Sequence, residues 1–105
     1  MIQAQIVFHN DRYREIRVQG HADWAAHGED LVCAAVSVLT LTLANTLEEL
    51  AENHYDLRIE HGDFTLVLKD EATDRSRVAI RSFEIGMEGL ERTYPDYVKI
   101  KRRMT

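Results

Sequence analysis

The side chains best suited to chemistry in this chain are its single cysteine, Cys33, and a histidine upstream of it, His21. An ionised thiol is a strong nucleophile, and an imidazole gains and loses a proton near neutral pH. Together they could attack a carbonyl carbon and protonate the leaving group. This pair therefore predicts, as one hypothesis, an enzyme that works through a cysteine nucleophile.

The residues around Cys33 suggest how its sulfur could be activated. Asp30 is a suitable N-cap residue for a helix over residues 30–53, which would place Cys33 in the first helical turn. Unpaired backbone N–H groups and the positive end of the helix dipole favour an anion there. The same donors could bind the oxyanion that forms during attack on a carbonyl.

Each of these residues also has a structural interpretation. Cys33 in Val-Cys-Ala-Ala-Val is typical of a small buried hydrophobe, and His21 of a solvent-exposed loop residue. Asp30 could serve only as a helix cap, and the Ser37 hydroxyl could bond to a backbone carbonyl one turn earlier. Spacing alone leaves both interpretations open.

Zinc binding is a weaker chemical alternative. The candidate ligands are His21, His27, Asp30 and Cys33, but their spacing matches no compact zinc motif. A glycine-rich phosphate loop ending in Lys-Ser or Lys-Thr is not found in the sequence. We therefore expect no metal and no cofactor.

The pattern of apolar residues predicts an α+β domain with the order ββαββαβ, in which two helices pack on an antiparallel or mixed sheet. Residues 20–28 contain two glycines without a sustained period and are predicted to form a loop. The predicted strands are 3–9, 13–18, 55–60, 64–69 and 97–101, and the predicted helices are 30–53 and 73–94.

The first predicted helix is apolar on more than one face. One face is predicted to pack on the sheet, and a second to contact another subunit in a two-fold dimer. Two glycines in the second helix, Gly86 and Gly89, predict either close approach to the first helix or a local break. The sheet-facing set is Val32, Val36, Leu39, Leu43, Leu47 and Leu50, and the outward set is Leu31, Val38 and Leu41.

Length and composition predict one soluble domain over residues 1–105. A net charge of −5 argues against direct binding to nucleic acid. A single cysteine favours the reducing cytoplasm, and the chain start does not resemble a secretory signal. The apolar segment 31–43 is predicted to be too short to cross a membrane.

Two sequence boxes and the chain end carry a family resemblance. They are Gly20-His21-Ala22, then Gly28-Glu29-Asp30-Leu31-Val32-Cys33-Ala34-Ala35-Val36-Ser37, and finally Tyr94-Pro95-Asp96-Tyr97-Val98-Lys99-Ile100. In these boxes and in length the chain resembles the bacterial ribosomal-processing cysteine proteases, the Prp family. Leu31, where isoleucine is common, is a conservative departure.

The resemblance implies a cytoplasmic, homodimeric thiol protease active in ribosome biogenesis. Such a hydrolase removes an N-terminal extension from a large-subunit ribosomal protein, cutting after aromatic residues. Carried over to this sequence, Cys33 would be the nucleophile and His21 its acid–base partner. Gly20 would allow close backbone approach, and Asp30 and Ser37 would support the site.

The loop between the two boxes is expected to close over the substrate segment and bring His21 to the sulfur. Its substrate-facing residues would be Ala22, Asp23, Trp24, His27 and Gly28. Trp24 could contact aromatic residues of the substrate or pack within the loop. An acidic enzyme would also attract a basic ribosomal protein.

Two other functions are also compatible with the sequence. The chain could be a non-catalytic dimeric module that binds a ribosomal protein or an assembly intermediate, with Cys33 only packed. It could also carry a redox-sensing thiol that forms a disulfide between subunits.

Overall fold

The computed structural model describes residues 1–20 and 27–105, with side chains described for residues 1–20 and 31–105. The order ββαββαβ is confirmed. The elements are β1 Ile2–His9, β2 Arg12–Gln19, α1 His27–Leu50, β3 Tyr55–Glu60, β4 Asp63–Leu68, α2 Asp74–Thr93 and β5 Val98–Met104.

The five strands form one mixed sheet in the order β3-β4-β2-β1-β5. β5 runs parallel to β1, and the other neighbouring pairs are antiparallel. The first hairpin turns at Asn10 and Asp11, whose φ angles of 51° and 64° suit a two-residue type I′ turn. Both helices cover one face of the sheet and enclose a single core with it.

The sheet-facing side of α1 is largely as predicted. Val32, Val36, Leu43 and Leu47 are buried, whereas Leu39 is only partly buried. The prediction for Leu50 is wrong, because this side chain is 54% exposed at the helix end. The three residues predicted to point elsewhere, Leu31, Val38 and Leu41, are all exposed.

The apolar part of α1 is longer than the sequence reading suggested. Leu31–Leu50 spans 20 residues and contains an 18-residue stretch with a mean hydropathy of 1.6, which by length and composition would suffice to cross a membrane. The predicted apolar segment 31–43 therefore ended seven residues too early. In this fold the helix packs one face on the sheet, with Val32 and Leu47 fully buried.

The second helix begins and ends as its sequence predicts. Thr73 is the N-cap and forms a capping box with Ser76, and Tyr94 is the C-cap before Pro95. The predicted stripe is confirmed, with Ile80, Phe83 and Met87 buried and the last two members partly buried. This stripe fixes α2 over the core.

Gly86 and Gly89 serve different purposes in α2. A Cβ at Gly86 would lie 2.7 Å from Leu39 Cδ2, so this glycine allows the close approach to α1 that was predicted. A Cβ at Gly89 would meet nothing nearer than Arg92 Nη2 at 3.9 Å. The packing explanation is confirmed for Gly86 and wrong for Gly89.

The basic chain end is part of the sheet. β5 extends to Met104, three residues beyond the predicted strand, because its register against β1 continues to Phe8. Arg102 donates to the buried carboxylate of Glu84 at 2.8 Å, and the Tyr13 hydroxyl donates to the same carboxylate at 2.6 Å. Burial alone would raise the pKa of Glu84, but hydrogen bonds from Tyr13, Arg102 and Arg81 lower it overall.

Candidate active site

Cys33 lies in a groove rather than in the closed core. Its side chain is partly buried, packs against the core and makes no disulfide. The groove has a volume of about 270 Å³ and lies between α1 and the β3–β4 hairpin. The interpretation of Cys33 as a fully buried hydrophobe is therefore wrong, since a second molecule can approach from the groove.

The start of α1 corrects one step of the sequence argument. The helix begins at His27, so Asp30 is its fourth residue and not its N-cap. Cys33 is then in the second turn, about 9 Å along the axis from the first residue at 1.5 Å per residue. Because helix-dipole effects fall off within the first turn, the predicted activation by the helix start does not apply in that form.

The reason for this error lies in the first turn itself. Asp is a preferred N-cap residue, but Glu and Asp are also favoured inside the first turn, where they face the positive end of the helix. Glu29 and Asp30 lie inside the first turn of α1. The predicted loop over residues 20–28 is likewise too long, because His27 and Gly28 already belong to α1.

Gly20 fixes the backbone immediately before His21. Its φ is +104°, and a Cβ here would clash with the carbonyl oxygen of Met1. Its N–H donates to the carbonyl of Gly62 at 3.0 Å. A glycine is needed at this point, and the chain leaves β2 from a position held by two neighbouring segments.

Several predicted site residues lie outside the described part of the chain. This applies to His21, Ala22, Asp23 and Trp24. His27, Gly28 and Asp30 are described only as backbone of α1. Their roles in catalysis, site support and substrate contact stay predictions, and so does the choice between Trp24 as a substrate contact and as a loop plug.

Three of the four candidate zinc ligands have side chains that the structure does not describe. Within the residues whose surroundings are described, no group of three or more His, Cys, Asp or Glu side chains could hold a metal ion. The structure therefore adds no support for a zinc site.

Ser37 and Leu41 extend the row that begins at Cys33 along α1. Residues four apart share a helical face, and all three line the same groove. Ser37 is exposed, and its carbonyl accepts a hydrogen bond from Thr40 Oγ1 at 3.1 Å. Ser37 therefore lies on the groove one helical turn from Cys33, and its supporting role stays a prediction.

The β3–β4 hairpin contributes groove residues that sequence reasoning missed. Its turn, His61-Gly62, and the flanking Glu60 and Asp63 line the groove opposite Cys33. The predicted strands 55–60 and 64–69 imply this turn. They do not indicate what it faces, because that depends on the pairing of β4 with β2, in which Asp63 lies opposite Gln19. No local signal marks a contact between segments so far apart in the chain.

Glu60 and Asp63 form an acidic rim of the groove, and nearby arginines partly balance its negative charge. The carboxylate of Asp63 lies 3.9 Å from a guanidinium nitrogen of Arg17 and 3.9 Å from one of Arg58, and it accepts from Thr65 Oγ1 at 3.1 Å. Glu60 is exposed at the same rim. The rim therefore carries both signs of charge around an apolar floor.

Comparison with known proteins identifies the family. The family described as cysteine protease Prp matches residues 1–99 of this chain. The chain belongs to this family. It is 32% identical to the ribosomal processing cysteine protease Prp of Bacillus subtilis, and the match covers 95% of this chain and 96% of that protein.

The fold agrees with solved structures. A crystal structure of a Streptococcus mutans protein superposes with a TM-score of 0.88 at 27% identity, covering 100% of this chain and 99% of that one. The ribosomal processing protease Prp of Staphylococcus aureus, crystallised with a substrate peptide, gives a TM-score of 0.90 at 20% identity. That match covers 97% of this chain and 99% of the S. aureus chain.

Family membership settles the class of activity. The chain is a cysteine-type endopeptidase, a hydrolase, of the ribosomal processing cysteine proteases. Cys33 is the single cysteine in its sequence, and it opens onto a groove. This identification favours the endopeptidase over the non-catalytic binding module and over the redox-sensing thiol.

Proposed function

We propose that this protease removes the N-terminal extension of a large-subunit ribosomal protein, with Cys33 as nucleophile and His21 as acid–base partner. The observation that carries the proposal is the position of Cys33, the only thiol in the chain, on an open groove of about 270 Å³. The B. subtilis relative is named a ribosomal processing protease, which supports the choice of substrate.

The proposed reaction runs through an acyl-enzyme. The Cys33 thiolate attacks the scissile carbonyl carbon and forms a tetrahedral intermediate. As the C–N bond breaks, His21 gives a proton to the leaving amine, and the acyl group stays on sulfur as a thioester. Water, deprotonated by His21, then attacks the thioester and releases the carboxylate and the thiol.

Gly20 supports the part assigned to His21. Its hydrogen bond to Gly62 ties the residue before His21 to the turn that lines the groove of Cys33. Gly20 itself lines this groove, which supports the acid–base role proposed for the residue that follows it.

We also propose that two chains form a homodimer in the cytoplasm. The outer face of the helical layer exposes Val38, Leu50 and Val78. A mainly apolar groove of about 520 Å³ runs between α1 and α2 on this face. A second copy of the same face would remove these side chains from water, and the lone cysteine fits a reducing compartment.

The direct test is cleavage of the host's ribosomal-protein precursor, followed by mass spectrometry. Wild-type protein should release one N-terminal fragment, whereas Cys33→Ala should release none and His21→Ala should be slower by several orders of magnitude. Ser37→Ala, one turn away on the same groove, separates a supporting role from a catalytic one, since it should retain part of the activity. Cleavage by Cys33→Ala at the wild-type rate would refute the mechanism.

A further inference from the structure

The groove beside Cys33 continues past the sulfur into an apolar section that the reaction itself does not use. Leu41 of α1 and Ile59 of β3 line it and are 48% and 51% exposed. Phe64 and Val36 form buried surface beneath them. Exposed large aliphatic side chains on two sides of a groove with an apolar floor suit an apolar ligand.

Ile59 lies on the helix-covered side of the sheet. It is directly paired with Phe64 of β4, which is buried in the core, and paired residues in an antiparallel ladder share a face. Because β3 is an edge strand of the sheet, its apolar side chain is left partly uncovered beside α1.

Leu41 and Ile59 lie at about the same level of the groove. The end of α1 is anchored to the start of β3, where the Tyr55 hydroxyl donates to Glu48 at 2.6 Å. From this anchor Leu41 lies about 10 Å back along α1, and Ile59 about 13 Å forward along β3, by the rise of a helix and a strand. The two side chains are therefore placed to contact one ligand group together.

The distance from the sulfur sets which substrate residue reaches this level. Leu41 lies eight residues after Cys33, which is about 12 Å along the helix axis. An extended peptide advances about 3.3 Å per residue, so 12 Å corresponds to three or four residues. The groove volume of about 270 Å³ is below the range of about 300–1,000 Å³ for whole ligands and suits a few side chains.

We propose that Leu41 and Ile59 form a specificity subsite, the apolar shelf, for a large apolar side chain three or four residues from the scissile bond. The assignment rests on the proposed function, because it takes the scissile carbonyl to lie at Cys33. The occupant is an extended peptide segment, since only a chain that reaches the sulfur runs the length of the groove.

The test pairs enzyme and substrate truncations. Ile59→Ala and Leu41→Ala are compared with Ile85→Ala, an isoleucine of α2 that is 55% exposed and does not line this groove. The substrate is a peptide that spans the cleavage site of the ribosomal-protein precursor. Each residue within four positions of the scissile bond is changed to Ala in turn. The readout is kcat/KM.

Both shelf variants should lower kcat/KM by about five-fold or more on the parent peptide. That loss should disappear when one residue three or four positions from the scissile bond is already Ala. Ile85→Ala should change nothing. Equal losses on all peptides, equal losses for Ile85→Ala, or coupling only to residues adjacent to the scissile bond would overturn the shelf.

A binding measurement separates this proposal from the proposed reaction. In a Cys33→Ala background, a fluorescein-labelled precursor peptide should bind about five-fold or more weakly when Ile59→Ala is added, and unchanged when Ile85→Ala is added. If this pattern appears while wild-type protein fails to cleave, the hydrolytic mechanism fails, and the shelf is retained only as a contact that binds the peptide. If wild-type protein cleaves but binding ignores Ile59, the shelf fails and the mechanism stands.

Discussion

At the scale of single residues, Gly20 shows how closely the chain is constrained next to its chemistry. The residue has a positive φ, and a methyl group would meet the carbonyl of Met1. The sequence box Gly20-His21-Ala22 indicated a glycine with close backbone approach. It could not indicate Met1 as the neighbour, because that contact depends on β1 lying beside β2.

Gly20→Ala should destabilise the fold by about 1–3 kcal/mol, since it adds backbone strain and displaces the Met1 carbonyl. Chemical denaturation of both proteins measures this difference. Gly89→Ala serves as a control, because it introduces the same methyl group where nothing is close. A Gly20→Ala protein as stable as wild type would contradict the described contact.

The position of Cys33 in its helix was predicted wrongly, and its role as nucleophile stays a prediction. The motif fixed the residue, whereas the helix start at His27 moved it from the first turn into the second. Cap preferences act over one or two residues and compete with other favourable positions for the same side chain. Local rules therefore found the nucleophile candidate but misplaced the start of the helix.

At the scale of elements, the two glycines of α2 separate helix propensity from helix packing. Gly89→Ala should stabilise the protein by about 0.5–1 kcal/mol, because alanine is the better helix former. Gly86→Ala should lose that gain, because its methyl group would press on Leu39 Cδ2 at 2.7 Å. Thermal unfolding of the two variants measures the contrast, and equal stabilisation would contradict close packing at Gly86.

The segment that follows α1 and the segment that precedes α2 share a pH-dependent contact. Hydrogen bonds from Asn53 and then from His54 lower the pKa of Asp70 from its usual value of 3.8 to about 2. A lowered carboxyl pKa stabilises the folded state above the unfolded value, and this contribution is lost as pH falls from about 4 towards 2.

Asp70→Asn should therefore be less stable than wild type at neutral pH, with a difference that shrinks between about pH 4 and pH 2. Urea denaturation across this range measures the difference, and Asp96→Asn, which removes another exposed carboxylate, is the control. A difference that stays constant from pH 7 to pH 2 would rule out this role for Asp70.

The same elements show which structural features the sequence could reveal. Alternating apolar residues located all five strands. The apolar stripe of α2 predicted both ends of this helix to within one residue. The extension of β5 to Met104 was missed because its basic residues resemble a solvated tail. Pairing with β1 and the contact of Arg102 with Glu84 supply the stabilisation, and both depend on tertiary structure.

At the scale of the whole molecule, the helical layer exposes large apolar side chains beside the groove between α1 and α2. Val78 is 70% exposed and lines the groove between the helices. Val78→Asp should shift a homodimer towards single chains of 12.1 kDa, because it places a charge in the proposed interface.

Light scattering coupled to size-exclusion chromatography gives the mass at several concentrations. Gln3→Asp, on the opposite and polar face of the sheet, is the control and should leave the dimer intact. A wild-type protein that stays at 12.1 kDa at high concentration would contradict the dimer.

The groove is also a property of the whole molecule. It joins α1, the β3–β4 turn and the end of β2, which are far apart in sequence. Motif reading could supply Cys33 and Ser37 but not Ile59 or the turn at His61-Gly62, because no short pattern records which elements face one another. The fold places these residues on one groove with Cys33.

The most direct test of the account is intact-mass spectrometry of the protein after rapid acid quenching of its reaction with the ribosomal-protein precursor. Hydrolysis through an acyl-enzyme predicts a transient adduct on Cys33 with the mass of the released N-terminal fragment minus one water, and loss of both adduct and cleavage in Cys33→Ala. Cleavage that proceeds without any adduct, and at an unchanged rate in Cys33→Ala, would contradict it.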